Sequence, residues 1–273
     1  MTSPAIGRAN GIPVLGFSTY PLTGDEAEAC VATALELGYR HIDTAQMYGN
    51  EKEVGRAIAR SGIPREEFFV VTKVDPSNID APRFADSVAR SVEALGFVPD
   101  LLLIHWPPPD QQVEGPMERL MKAQADGMAH AIGISNFTTA QMRRAQQIAG
   151  GKLLCNQVEF HPLLDQSMLL DTAREVGLVL TAYCPLARGK AMQQPIVQQI
   201  AQRHGRPASE IVLRWIIQQG VVAIPMTLKR ENAASNLNAL TFSLSDEEMA
   251  AISRLGTRQG RLIEPSWMAG KWD

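Results

Sequence analysis

The sequence is poor in cysteine, and its three cysteines show no metal-binding or disulfide spacing. Cys30, Cys155 and Cys184 are odd in number, and none belongs to a CxxC pair or a run of Cys and His ligands. A disulfide framework needs paired cysteines, and a structural zinc site needs closely spaced ligands. We therefore expect reduced thiols and no metal site.

The 273 residues also lack a long apolar run and an excess of either charge. No stretch approaches the roughly 20 apolar residues of a membrane-spanning helix, and the N-terminus has no signal-peptide core. The formal net charge is −3 with acidic and basic residues mixed, which argues against a nucleic-acid or membrane partner. We expect a cytoplasmic protein that acts on small molecules, and a monomer, because no heptad or exposed apolar stripe demands a partner.

Short apolar runs alternate with amphipathic stretches, which is the pattern of repeated βα units. The runs predict eight strands: Val14–Phe17, His41–Asp43, Phe69–Thr72, Leu101–His105, Ala131–Ile134, Leu154–Val158, Val179–Ala182 and Val221–Ile224. Helices are predicted at Asp25–Leu37, 51–60, 80–95, 115–126, 139–149, 166–176, 208–219 and 230–239.

Eight such units can close into a barrel or open into a doubly wound sheet. The chain length and the absence of GxGxxG after the first strand favour an α/β fold of the (β/α)₈ TIM barrel type. We expect one domain over residues 1–273, with a short N-terminal β-hairpin and a C-terminal tail over or beside the barrel.

Polar residues fall at the carboxyl ends of predicted strands, where barrel enzymes carry their active sites. Asp43, Lys73 and His105 end three consecutive strands, and Tyr48 follows Asp43 in the next loop. Singly, each has a structural explanation as a helix cap, a solvated charge or a satisfied core residue. An acid, a base, a phenol and an imidazole on one rim together favour catalysis.

Six motifs in order, GYRHIDTAQMYGNE, VVTK, LLLIHWP, AIGISNF, CNQVEFHP and AYCPLARG, resemble the aldo-keto reductase superfamily over nearly the whole chain. The catalytic tetrad of that family falls on Asp43, Tyr48, Lys73 and His105 without a substitution. The chain is similar to the shorter bacterial members, including the 2,5-diketo-gluconate reductase branch. The resemblance implies an NAD(P)H-dependent reductase of sugar-derived ketones, α-dicarbonyls and simple aldehydes.

Carbonyl reduction assigns a distinct role to each of these residues. Hydride transfer builds negative charge on the carbonyl oxygen, and Tyr48 is the best placed acid to neutralise it. We expect the Lys73 cation to lower the pKa of Tyr48, and Asp43 to compensate the charge of Lys73. His105 is expected to donate a hydrogen bond that orients the carbonyl.

A nicotinamide cofactor is expected because none of these side chains can supply a hydride. By resemblance, Ser135, Asn136 and Gln157 hold the carboxamide, Tyr183 stacks on the ring, and the segment Pro185–Gly189 follows the pyrophosphate with backbone N–H groups. The structural alternatives are that Ser135 and Asn136 cap a helix and that Tyr183 fills the rim. The further expected cofactor contacts are Pro185, Leu186, Thr19, Thr227 and Asn236, together with Lys229 and Arg230, which lie beside positions where the chain departs from the family pattern.

The segment AIPMTLKRENAASN departs from the family pattern at the adenosine end of the cofactor. Met226 and Asn232 stand where the family commonly has the Lys and Arg that bind the 2′-phosphate of NADP(H). Because charge-assisted contacts are stronger than neutral ones, NAD(H) is expected to be accepted or preferred. Lys229 and Arg230 lie beside the vacated positions, and they are expected either to bind the same phosphate or to be the solvated charges of a helix start.

Aromatic and apolar residues are the expected walls of the substrate pocket. They are Tyr20, Met47, Trp106, Phe137, His161 and, from the tail, Trp267. The tail either covers the active site or packs on the barrel exterior.

Two other functions stay open from the residues alone. A cofactor-free barrel hydrolase or isomerase would need paired carboxylates, for which only Asp43 and Glu159 qualify. A catalytically weak nicotinamide-binding regulatory protein would use the same fold without turnover.

Overall fold

A parallel barrel preceded by a short hairpin dominates the computed structural model, which describes residues 6–80 and 82–273. The hairpin pairs β1 (Arg8–Ala9) with β2 (Ile12–Pro13) in antiparallel register. The barrel strands are β3 (Phe17–Ser18), β4 (His41–Asp43), β5 (Phe69–Val74), β6 (Leu101–Ile104), β7 (Ala131–Ser135), β8 (Leu153–Glu159), β9 (Val179–Tyr183) and β10 (Val222–Ala223).

Helices follow the barrel strands and cover the outside of the sheet. They are α1 (Gly24–Leu37), α2 (Glu51–Arg60), α3 (Arg83–Leu95), α4 (Glu114–Ala125), α5 (Thr139–Ile148), α6 (Ser167–Val176), α7 (Pro195–His204), α8 (Ala208–Gln218), α9 (Arg230–Leu237) and α10 (Asp246–Ser253). Among the described residues, none of these helices combines the length and apolar character that crossing a membrane requires.

Strands β3 to β10 pair in sequence order, and every pair is parallel. The two ends of this sheet meet through a parallel bridge between Leu15 and Ala223. The N–H of Gly16 donates to Ala223 O at 2.9 Å, and the N–H of Ala223 donates to Val14 O at 2.9 Å. A doubly wound sheet has two open edges, so the closure confirms the (β/α)₈ barrel, and the pairing of β1 with β2 confirms the N-terminal hairpin.

The structure corrects the predicted elements at several places. Helices α7 and α10 were not predicted, although α7 carries Pro195 in its first turn and ends at Gly205 with φ +60°, both ordinary boundary signals. The helix predicted over 80–95 begins at Arg83, after Pro82, and position 81 lies outside the described residues. Regular strand geometry at the first barrel position begins at Phe17, not at Val14.

The barrel interior alternates with the outer core along each strand, because successive side chains point to opposite faces. On β5, Phe69 and Val71 join the inner cluster, which also contains Leu103, Cys155 and Ile12 of the hairpin. All three cysteines are free, and burial raises the pKa of Cys155 to about 12. The next inward positions at the carboxyl end are polar and form the site described below.

Packing between α2 and α3 depends on a glycine. A Cβ on Gly55 would overlap the carbonyl oxygen of Leu95, whereas a Cβ on Gly115 of α4 meets only the flexible side chain of Arg119. We expect Gly55→Ala to lower the free energy of unfolding by about 1–3 kcal/mol through overpacking. Gly115→Ala is the matched control and should change it by less than about 1 kcal/mol. Urea unfolding measures both, and equal losses would contradict the close helix contact.

Candidate active site

A buried ion pair joins the carboxyl ends of β4 and β5. Lys73 Nζ donates to Asp43 Oδ1 at 2.6 Å and to Thr44 O at 2.8 Å. Neither charged side chain has exposed surface. Burial lowers the pKa of Lys73, and the charge of Asp43 opposes that shift. The pair forms because both residues face inward near the carboxyl ends of neighbouring strands, as the sequence predicted.

The second oxygen of Asp43 is bound from across the barrel. Gln157 Nε2, on β8, donates to Asp43 Oδ2 at 2.7 Å. The sequence motifs predict only a cofactor contact for Gln157, and its bond to Asp43 is seen only in the structure. The available signal was that both residues lie at inward-facing strand ends.

Tyr48 lies beside the ion pair on a short 3₁₀ turn that ends at Gly49, where φ is +65°. Its hydroxyl is 3.4 Å from Lys73 Nζ. Burial, followed by the charge of Asp43 and by Tyr20, raises the pKa of Tyr48 well above the usual value of a phenol. The direction of this pKa shift is opposite to the lowering expected from Lys73, and it favours the neutral form of the Tyr48 hydroxyl.

Asn50 fixes the loop that carries Tyr48, and the sequence analysis missed it. Its Nδ2 donates to the carbonyl oxygens of Thr19 and Leu22, and its Oδ1 accepts from Thr44 Oγ1. Thr19, predicted to contact the cofactor, is fully buried and donates to Asp43 O at 3.1 Å. The signal for Asn50 was its place in the motif MYGNE.

His105 is held neutral at the end of β6. Burial, and then the nearby Lys73 charge, lower its pKa well below the usual value of an imidazole. Its ring centroid lies 5.7 Å from that of Tyr48. Nδ1 is buried and has no hydrogen-bond partner among the described residues. A neutral imidazole carries one N–H, so His105 can donate one hydrogen bond to a carbonyl oxygen.

The structure brings together the residues predicted to hold a carboxamide. Asn136 Nδ2 donates to His105 O at 3.0 Å and to Ser135 Oγ at 3.1 Å, while Tyr183 Oη donates to Asn136 Oδ1 at 2.8 Å. Asn136 has φ +64°, a conformation that Asn tolerates better than most residues. The cap of α5 is Thr138, with a capping box to Gln141, so Ser135 and Asn136 are not its helix cap.

The loop after β9 differs from the expected row of free backbone N–H groups. Ala187 N donates to Cys184 O, and Gly189 N donates to Leu186 O, each at 2.9 Å. Pro185 is buried in this loop. Cys184, Ala187 and Arg188 have φ between 50° and 52°, a strained region for residues with side chains. Part of the N–H set predicted for a pyrophosphate is thus bound within the loop.

The residues predicted to contact the adenosine end of the cofactor lie around the start of α9, and their surroundings differ. Arg230 forms a surface ion pair with Glu36 at 2.6 Å, and Lys229 is exposed. The side chain of Asn232 donates to Thr227 Oγ1 at 3.4 Å. Arg230 therefore has a carboxylate partner of its own.

Asn236, also predicted to contact the adenosine end, is buried on the same helix. The Tyr39 hydroxyl packs against the same helix and donates to Ala233 O at 2.9 Å. In this structure Asn236 supports α9 from inside.

Three of the predicted substrate contacts are exposed at the rim: Tyr20 at 57%, Met47 at 47% and Trp267 at 41%. The rings of Tyr20 and Tyr48 lie 5.1 Å apart, and those of Trp106 and Trp267 lie 6.1 Å apart.

Phe137 and His161 were predicted to line the substrate pocket, and this prediction is wrong because both side chains are fully buried. Phe137 belongs to the outer hydrophobic core. His161 Nε2 lies 2.9 Å from Oε1 of the buried Glu159. Neither side chain offers a surface to a substrate in this structure.

The C-terminal tail is tied to the end of β8 by Glu159. The backbone N–H groups of Leu262 and Ile263 donate to the Glu159 carboxylate at 2.7 and 3.0 Å. Glu159 is therefore bound to the tail, and Asp43 is bound to Lys73 and Gln157. The paired carboxylates that a cofactor-free hydrolase requires are not formed by these two residues.

Further along, the tail reaches the ends of β6 and β7. The Trp272 ring packs between the Arg261 guanidinium, 3.7 Å from its centroid, and Trp106, at 6.2 Å. The Asp273 side chain accepts from the N–H and the hydroxyl of Thr139, both at 2.8 Å. The tail thus lies across the rim that carries the site, and not on the barrel exterior.

A model of the aldo/keto reductase family matches residues 11–256. Methylglyoxal reductase DkgB of Yersinia pestis is 41% identical over 267 residues, which cover 96% of this chain and 99% of that protein. A solved structure attributed to a 2,5-diketo-D-gluconic acid reductase B is 42% identical with a TM-score of 0.93, covering 97% and 96% of the two chains. An aldo/keto reductase of Brucella melitensis is 34% identical with a TM-score of 0.86, covering 93% and 100%.

The fold and these relatives define an enzyme, an oxidoreductase that reduces carbonyl compounds. The chain belongs to the aldo/keto reductase family, whose members generally use NAD(P)H. The resemblance seen in the sequence motifs is therefore confirmed.

The ion pair makes a prediction about stability. Lys73→Met leaves the buried Asp43 carboxylate without its cation, so the free energy of unfolding should fall by about 3–5 kcal/mol. The double variant Asp43→Asn, Lys73→Met removes both charges and should lose clearly less. Urea unfolding at neutral pH measures both variants. A double variant at least as unstable as Lys73→Met would contradict the explanation that the uncompensated Asp43 charge causes the loss of stability.

Proposed function

We propose that this enzyme reduces small aldehydes and ketones to alcohols, above all short α-dicarbonyls, with NAD(P)H as the hydride source. The observation that carries the proposal is the neutral Tyr48 hydroxyl 3.4 Å from Lys73 Nζ, itself 2.6 Å from Asp43. An acid that remains protonated until negative charge develops beside it, next to a fixed cation, is suited to carbonyl reduction.

The residues at the ends of β7, β8 and β9 fit a nicotinamide. Ser135, Asn136 and Gln157 carry hydroxyl and amide groups of the kind that bind a carboxamide, and the N–H groups of Asn136 are bonded to His105 O and Ser135 Oγ in the cofactor-free structure. Tyr183 presents an aromatic ring whose hydroxyl is fixed by Asn136. When bound there, the nicotinamide supplies the hydride that reaches the carbonyl carbon.

Each of the four residues of the proposed catalytic tetrad, Asp43, Tyr48, Lys73 and His105, has one role. Tyr48 holds its proton at the phenol oxygen and transfers it to the carbonyl oxygen as that oxygen becomes basic. Lys73 stabilises the phenolate that remains. Asp43 fixes the position of Lys73 and favours its protonated, positively charged form. The N–H of neutral His105 orients the carbonyl by donating to its oxygen.

Uncharged, short substrates fit the exposed rim. Its exposed side chains are Tyr20, Met47 and Trp267, and the largely buried Trp106 packs behind Trp267. In the tail, the Arg261 guanidinium packs on the Trp272 ring, 3.7 Å from its centroid, and lies 4.0 Å from Glu159. The name of the Yersinia pestis relative, methylglyoxal reductase, agrees with a short α-dicarbonyl.

Replacing the proton donor tests the proposal. Tyr48→Phe should lower kcat with methylglyoxal by about 10²–10⁴-fold, measured as loss of reduced-nicotinamide absorbance. Cofactor binding, followed by nicotinamide fluorescence, should change little. Tyr39→Phe, a buried hydroxyl bonded to Ala233 O, should keep kcat at saturating cofactor. Near-normal turnover in Tyr48→Phe would refute the assigned role.

Cofactor preference follows from the adenosine end. Met226 and Asn232 provide no cation for a 2′-phosphate, and Arg230 is paired with Glu36. We expect kcat/KM with NADH to equal or exceed that with NADPH. Met226→Lys combined with Asn232→Arg should raise the NADPH to NADH ratio about tenfold, which corresponds to about 1.4 kcal/mol. A strong NADPH preference in the unaltered enzyme would contradict this proposal.

A further inference from the structure

We propose that Gln157 is a positioning residue for proton transfer, because its amide holds the second oxygen of Asp43. Gln157 would then serve two purposes: it would bind the carboxamide, and through Asp43 and Lys73 it would hold Tyr48, the proton donor, in position. This inference rests on the proposed function for its meaning in catalysis, but the contact itself can be tested in the cofactor-free protein.

The contact crosses the barrel. Asp43 ends β4 and Gln157 lies on β8, and β5, β6 and β7 stand between these strands in the sheet. Asp43 Oδ1 accepts from Lys73 at 2.6 Å, and Oδ2 accepts from Gln157 at 2.7 Å. Asp43 is therefore clamped from two sides of the barrel, and all three side chains are buried.

Chemistry fixes which end of the Gln157 amide faces Asp43. An ionised carboxylate only accepts hydrogen bonds, so the amide must present its NH₂ group to Asp43. This leaves Oε1 as the end of Gln157 that can face a carboxamide, as an acceptor. Ser135 Oγ donates to Gln157 O at 2.8 Å and holds the backbone at this strand end.

The clamp has a consequence for Tyr48. Loss of the Gln157 N–H leaves one oxygen of a buried carboxylate without a donor, which is a costly state. Asp43 then turns toward Lys73, its remaining donor, and Lys73 no longer holds its place 3.4 Å from the Tyr48 hydroxyl. A residue that only binds the carboxamide would leave this geometry unchanged.

Gln157→Glu is the sharpest test because it keeps the size of the side chain and makes the clamp depend on pH. When protonated, the new carboxyl group donates to Asp43 Oδ2 and replaces the amide. When ionised, it places a second negative charge beside Asp43. Two adjacent carboxylates raise the pKa of one of them, so the new group has a folded-state pKa above its unfolded value. The stability is fully present below the unfolded-state pKa and is lost as pH rises from that value through the folded-state pKa.

Unfolding of the cofactor-free protein reads out the contact directly. The urea midpoint of Gln157→Glu, relative to the unaltered protein, should be lower at pH 8 than at pH 5. In an Asp43→Asn background the like charge is absent, so the same substitution should lose most of that pH dependence. Gln146→Glu, which buries a carboxyl at a site bonded to backbone groups of Leu153 and Val176, gives the effect of burial alone.

Turnover gives the second readout. Relative to the unaltered enzyme, kcat of Gln157→Glu should fall at least about tenfold between pH 5 and pH 8, while that of Gln146→Glu should not. The inference is overturned if Gln157→Glu causes the same pH dependence of unfolding with and without the Asp43→Asn substitution. It is also overturned if neither the single variant Gln157→Glu nor the double variant with Asp43→Asn folds. Active Tyr48→Phe would refute the proposed function and leave the unfolding result intact.

Discussion

The buried ion pair of Asp43 and Lys73 is the interaction on which the rest of the site depends. Two charges removed from water need partners for every donor and acceptor. Thr44 O and Gln157 supply them, and Tyr48 lies next to the cation. The positions of these residues at the rim therefore provide hydrogen-bond partners for the buried ion pair.

The barrel makes such a pair possible by closing on itself. Closure through Leu15 and Ala223 removes the open edges, and a cluster of buried apolar side chains fills the barrel beneath the rim. In that setting, burial and then the charge of Asp43 raise the pKa of Tyr48, while burial and then the charge of Lys73 lower the pKa of His105 and keep it neutral. The site therefore combines two neutral donors with one fixed positive charge.

The sequence predicted the parts of the site that follow from strand periodicity. Asp43, Lys73 and His105 come at the ends of consecutive parallel strands, so their meeting at one rim needed only the barrel. The bond between Asp43 and Gln157 was missed because it joins strands that are not neighbours, which needs the register of the whole sheet. The pKa of Tyr48 was predicted with the wrong sign because charge was weighed without burial. Phe137 and His161 were placed at the rim because sequence alone does not show which way residues beyond a strand end turn.

The measurement that tests the central claim most directly is the titration of Tyr48 in the cofactor-free protein. The chain has four tyrosines, so tyrosine labelled with ¹³C at Cζ gives a spectrum in which Tyr48 is assigned by its absence from Tyr48→Phe. Burial beside Asp43 predicts that this signal remains that of a neutral phenol at pH values where an ordinary tyrosine ionises. A Tyr48 signal that titrates near neutral pH would contradict the account, because the ion pair would then hold a phenolate and not a proton donor.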